Sequence, residues 1–114
     1  METTMESNVA VVAFRSASIT DVKAISAATD RIRSFVAEKQ PGRLVFDFEQ
    51  VKFFSSGVLG LLLDIRARLE PYDGKVVISA INPQLHRIFK ITNLDTVFGF
   101  FPDKDSAVRA DNQD

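Results

Sequence analysis

The chain has 114 residues, enough for one domain with one core, and its 46% hydrophobic and 25% charged content is that of an ordinary globule. Fourteen basic and fifteen acidic residues leave a net charge of −1, which gives no electrostatic reason to bind nucleic acid or an anionic membrane surface. With no cysteine and a single histidine, disulfides, thiol catalysis and thiolate or multi-histidine metal sites are excluded. The start METTMESNV has neither the basic nor the apolar segment of a signal peptide, and no apolar run approaches the roughly 20 residues of a membrane helix. The expectation is a cytoplasmic protein.

Val9-Ala-Val-Val-Ala-Phe14 is a β-branched run and predicts a strand. Val22, Ile25, Ala28, Ile32, Phe35 and Val36 then recur at three- and four-residue steps. They predict an amphipathic helix over about Asp21 to Lys39, capped by Thr20 or Ser18 and stopped by Pro41-Gly42. Leu44-Val-Phe-Asp-Phe48 predicts a strand that is apolar on both faces, as in a covered central strand. Gly57 to Leu69 predicts a second helix, with Val58, Leu61, Leu62, Ile65 and Leu69 on one face. Leu59 and Leu63 widen that stripe, so deep burial is expected. Pro71-Tyr-Asp-Gly74 is a turn, and Lys75-Val-Val-Ile-Ser-Ala-Ile81 a third strand.

Asn82-Pro83 opens a third helix to about Ile91, with Leu85, Ile88 and Phe89 inward. Val97 to Phe101 predicts a short strand and Pro102 to Val108 a last short helix. The domain is expected over residues 8–110, with flexible ends at 1–7 and 111–114.

Strand–helix alternation predicts an α/β fold with a largely parallel sheet. Functional groups gather where strands end and helices begin. Ser55-Ser56-Gly57 lies at such a junction. It is not a nucleophile elbow, because Phe53-Phe-Ser-Ser-Gly57 lacks the leading glycine. The single histidine, His86, is placed on a helix as a surface or interhelical residue. No phosphate loop is present, and Gly57 and Gly60 suit close packing of a helix on the sheet. Asp47 with Glu49, and Asp103 with Asp105, do not make a convincing catalytic carboxylate pair. No enzyme, cofactor or metal is therefore expected. The serines read either as a plain helix cap or as a surface whose modification switches binding, since a helix start accepts an anion.

Three segments from Val9 to about Val108 together resemble the STAS domain family, the anti-sigma-factor antagonists of bacteria. Leu44 to Phe53 resembles that family's strand and turn. Phe54-Ser-Ser-Gly-Val-Leu-Gly60 resembles its Asp-Ser-Ser/Thr-Gly-Leu-Gly signature. Lys75 to Phe98 resembles its third strand and following helix.

The resemblance implies a single STAS-like domain with a four-to-five-stranded, mostly parallel sheet and about four helices mainly on one face. It implies a binding module, not a catalyst. The partner would be an anti-sigma factor that is also a serine kinase, phosphorylation would fall on Ser56, and Phe54, Ser55, Ser56 and Gly57 would meet the partner. Two positions depart from the family: Phe54 stands where it has Asp, and Ala17-Ser-Ile-Thr20 lacks the acid of its Leu-Asp. Two alternatives stay open. One is a STAS scaffold without a phospho-cycle. The other is a small-ligand or lipid-binding domain with Phe53, Phe54, Phe98, Phe100 and Phe101 lining the site, although core positions suit these rings better.

Overall fold

Arg43–Asp47 is apolar enough on both faces to need cover on both, and it forms the central strand of a five-stranded sheet. In the computed structural model, which describes residues 1–110, the elements run β1 (Glu2–Glu6), β2 (Val9–Ala13), β3 (Ser18–Ile19), α1 (Val22–Lys39), β4 (Arg43–Asp47), β5 (Phe53–Phe54), α2 (Ser56–Leu69), β6 (Lys75–Ser79), α3 (Pro83–Ile91), β7 (Gly99–Phe101) and α4 (Lys104–Arg109). The large sheet has the order β1-β2-β4-β6-β7, and β3 pairs with β5 in a separate two-stranded ribbon. Only β1 is antiparallel to its neighbour.

The winding explains the layers. From β2 to β4, β4 to β6 and β6 to β7, each crossover steps the same way along the sheet. Right-handed crossovers in one direction leave α1, α2 and α3 on one face. There Ala10, Val12, Leu44, Phe46 and Ile78 pack with Ile32, Leu62, Ile65 and Phe89 in the main core. α4 follows β7 and covers the other face, where Ala107 meets Val45 and Val77. Because the winding never reverses, the sheet has no topological switch point, the usual crevice for a nucleotide in open α/β sheets.

Arg43 holds α4 in place. Its side chain points to the α4 face and is buried at 5% exposure. Nη1 donates to the carbonyls of Ala107 and Ala110, each at 2.9 Å. A cation thus meets carbonyls at the C-terminal end of the helix, where the helix dipole favours it. On the other face Arg33 of α1 donates to Asp64 of α2 at 2.7 Å. The guanidinium holds the Asp64 carboxyl below its ordinary value. That bridge stabilises the fold above the carboxylate's unfolded pKa and is lost as pH falls through the lowered folded value.

Several expectations are corrected. Glu2–Glu6, expected to be part of a flexible end, is a strand paired with β2 across the two-residue turn Ser7-Asn8. Asn8 ties this turn to the start of β4: Gly42 N–H donates to its side chain at 2.9 Å, and a Cβ at Gly42 would sit 2.1 Å from the Asn8 Nδ2 atom. The end 111–114 lies outside the described residues. The N cap of α1 is Asp21, not Thr20 or Ser18. Val22, expected inward, is 79% exposed, and Leu63 is 39% exposed, so the apolar stripe of α2 is narrower than expected. Gly60 does not pack closely on the sheet: a Cβ at this position would meet nothing within 4 Å. The α3 cap is found as expected, with Leu85 N–H donating to Asn82 at 2.9 Å.

Leu62 and Leu63 separate the two faces of α2. Leu62→Ala is expected to cost about 2–5 kcal/mol as a core truncation. Leu63→Ala should stay within about 0.5 kcal/mol. Chemical denaturation of both variants checks the helix face. Equal losses would mean that it is wrongly assigned.

Candidate functional site: the start of α2

Successive side chains alternate across a strand, so β5 turns one of its two rings inward and the other outward. Phe54 is the inward one, at 3% exposure. Its ring meets Phe48 at 5.8 Å and Phe89 at 6.1 Å, both edge-on. Phe53 is the outward one, at 56% exposure. Phe54, expected among the partner contacts, therefore belongs to the core, and its neighbour presents the aromatic surface.

The β3–β5 ribbon sets the position of the serines. Ala17 carbonyl accepts from Lys52 and Phe53 N–H at 2.8 and 3.1 Å, and Ile19 carbonyl accepts from Ser55 N–H at 3.0 Å. Ser55 is the N cap of α2 with extended backbone, but its hydroxyl makes no capping bond. Its carbonyl accepts from Val58 N–H at 3.0 Å. The plain-cap reading of the pair thus holds for the backbone of Ser55 and not for its side chain.

Ser56 is the first residue of the helix and is exposed, as is Gly57. A Cβ at Gly57 would lie 3.3 Å from Ile25 Cδ1, so this glycine lets α2 approach α1 closely, not the sheet as expected. Val22 stands three residues before Ile25, on the same side of α1. Val22 itself is 79% exposed.

The electrostatics are simple. The first turn of α2 has no acidic residue, so the positive end of the helix dipole is uncompensated by side chains. Asp21 places an acid one residue beyond the acid-free stretch Ala17 to Thr20, exposed and without a capping bond. No described side chain hydrogen-bonds the Ser56 hydroxyl. The His86 ring lies against Phe100 at 4.3 Å. No group of three His, Cys, Asp or Glu side chains among the described residues could hold a metal ion. Among the same residues no helix is long and apolar enough to cross a membrane.

Three of the five rings considered as a ligand site pack on Phe89 instead. Phe98 is buried, and Phe54, Phe98 and Phe100 gather around Phe89 at 6.1, 6.2 and 5.3 Å. Sequence reasoning missed the exposure of Val22, because its helical period matches the buried stripe.

A sequence model of the STAS domain matches residues 2–107. An anti-sigma factor antagonist from Mycobacterium paratuberculosis is 29% identical and superposes with a TM-score of 0.81, covering 96% of this chain and 90% of that one. The anti-sigma factor antagonist SpoIIAA in its unphosphorylated form is 18% identical, with a TM-score of 0.83 over 94% of this chain and 91% of that one. The phosphorylated form of the Bacillus protein matches at a TM-score of 0.74 and 19% identity, covering 94% of this chain and 95% of that one. The STAS domain of a SulP transporter from Vibrio cholerae matches at a TM-score of 0.72 and 19% identity, over 94% of this chain and 83% of that one. Regulators and a transporter domain thus share this fold. With the family match running from β1 into α4, the chain belongs to the STAS domain family.

Proposed function

We propose that this chain is a regulatory binding module of the anti-sigma-factor-antagonist kind, acting in the cytoplasm. It docks a protein partner, an anti-sigma factor that is also a serine kinase, on the start of α2. The observation that carries this reading is the exposed Ser56 at the first residue of α2, three residues after the exposed Phe53. Ser55, Ser56, Gly57 and Phe53 form the contact, and Val22 borders it.

In this reading the partner's ATP supplies a phosphoryl group to the Ser56 hydroxyl, which loses its proton as ADP leaves. The phosphate brings about −1.5 to −2 charge. The fold tolerates it at a helix start, where an anion gains about 0.3–1 kcal/mol. A partner surface that covers Phe53 and Val22 does not, because a desolvated charge without a counter-charge is costly. Modification therefore releases the partner while the domain stays folded.

One spacing favours a second reading, a binding module without the phospho-cycle. In the family signature Leu-Gly follows the Ser-Ser/Thr-Gly directly, whereas Val58 intervenes here before Leu59-Gly60. Matched on Ser-Ser-Gly, the acceptor is Ser56. Matched on Leu59-Gly60, Gly57 takes the acceptor's place and the hydroxyl is missing. Incubation with the kinase and ATP followed by intact-mass measurement separates the two. The first reading expects one phosphate on wild type and none on Ser56→Ala. A partner that binds wild type but leaves its mass unchanged establishes the second.

Ser56→Glu is expected to weaken partner binding about tenfold or more while the melting temperature stays near wild type. Equal affinities for the two forms in titration calorimetry would remove Ser56 from the contact. The two rings should behave in opposite ways. Phe54→Ala is expected to cost about 3–5 kcal/mol of stability. Phe53→Ala should leave stability within about 0.5 kcal/mol and weaken partner binding. A Phe53→Ala variant that binds as tightly as wild type would show that the exposed ring lies outside the contact.

A further inference from the structure

One stripe of α1 carries small residues, Ala24, Ala27 and Ala28, at the three- and four-residue steps that lead to Arg31. Ile25, Ile32 and Val36 of the same helix are buried in the core, whereas Ala24 and Ala27 are exposed. A cleft of about 350 Å³ opens beside them, between α1, β3 and the end of β2. Its apolar lining includes Phe14, Ile19, Ile25 and Leu61, three of which are core residues exposing an edge there. That volume lies in the range of small-molecule sites.

Charge is distributed unevenly along the cleft. Arg15 in its lining is already paired with Glu2. Arg31 also lines it and makes no ion pair among the described residues. Asp21, the acid in the lining, is ten residues away at the other end, about 15 Å along the helix. It sits at the positive end of α1, so it does not neutralise Arg31. Between Ala24 and Arg31 the wall runs for about 10 Å. The cleft therefore offers an apolar trough of medium-chain length with a guanidinium at one end.

We infer that this cleft binds a single-chain amphiphile with an anionic head, of the medium-chain carboxylate class. The chain lies along Ala24, Ala27 and Ala28, and the carboxylate pairs with Arg31. A guanidinium takes a carboxylate through two parallel hydrogen bonds, which fixes the orientation. Ser56 is not among the lining residues, although the cleft adjoins the start of α2 through Ile19 and Ile25, and the inference does not depend on how that serine is used.

The test is titration of isotopically labelled protein with decanoate, followed by NMR. Saturable shifts of the Ala24, Ala27, Ala28 and Arg31 amides, at one decanoate per chain, are expected. Arg31→Glu should weaken binding about tenfold. Ala27→Leu exchanges one good helix former for another at an exposed position and should fill the trough, with the same loss and an unchanged melting temperature. Decanol, which lacks the anion, should bind about tenfold more weakly than decanoate. The inference is overturned if decanoate gives no saturable shifts, if both variants bind it like wild type, or if decanol binds equally well. It is also overturned if phosphatidylglycerol vesicles bind the protein and monomeric decanoate does not, since the surface would then serve a membrane and not a free amphiphile.

Discussion

Phenylalanine rings touch in series from one side of the domain to the other: Phe46 on Phe14, Phe14 on Phe48, Phe48 on Phe54, Phe54 on Phe89, and Phe89 on Phe100. Their centroids lie 5.3–6.1 Å apart. Each such pair contributes about 0.5–1.5 kcal/mol beyond its buried area. The series links the end of β2, β4 and the residue after it, the ribbon strand β5, α3 and β7. Phe54 is a middle member and the residue directly before the N cap of α2. By burying that ring, the chain fixes where Ser55 and Ser56 emerge.

This placement accounts for a departure from the family. The related signature has an acid in front of its serine pair, and a carboxylate there would need water or a partner. A phenylalanine satisfies the same position by packing. The consequence falls on Ser56, whose hydroxyl has no neighbouring acceptor from that position. What stays exposed around the start of α2 is Phe53, Ser56 and Gly57, and Val22 is exposed at the start of α1. An exposed aromatic ring is the kind of side chain that anchors protein contacts.

Much of the fold was legible in the sequence. The three-and-four spacing from Ile25 to Val36 gave α1, and the two-faced apolar run around Val45 gave the central strand. Asn82-Pro83 gave the start of α3. What escaped was short or polar. β1 reads Glu-Thr-Thr-Met-Glu, an edge strand whose exposed charges hide it from a search for β-branched runs. β3 and β5 have two residues each, too few for any period to show. The site was legible as a location, through the strand-to-helix junction, but the orientation of its side chains was not. Whether Phe53 or Phe54 faces inward depends on how the ribbon lies over the core, and that is a tertiary fact. Val22 misled for the related reason that a helical period continues past the point where the neighbouring layer ends.

The central claim is that a partner docks on the start of α2, with the core beneath it unmoved. Amide chemical-shift mapping of the labelled domain with its partner tests this most directly. The account predicts that the largest changes fall on Val22, Phe53, Ser55, Ser56 and Gly57, while α4 and the Arg43 side chain that holds it stay at their unbound positions. Changes centred on α4 and β7, with the start of α2 unaffected, would contradict it.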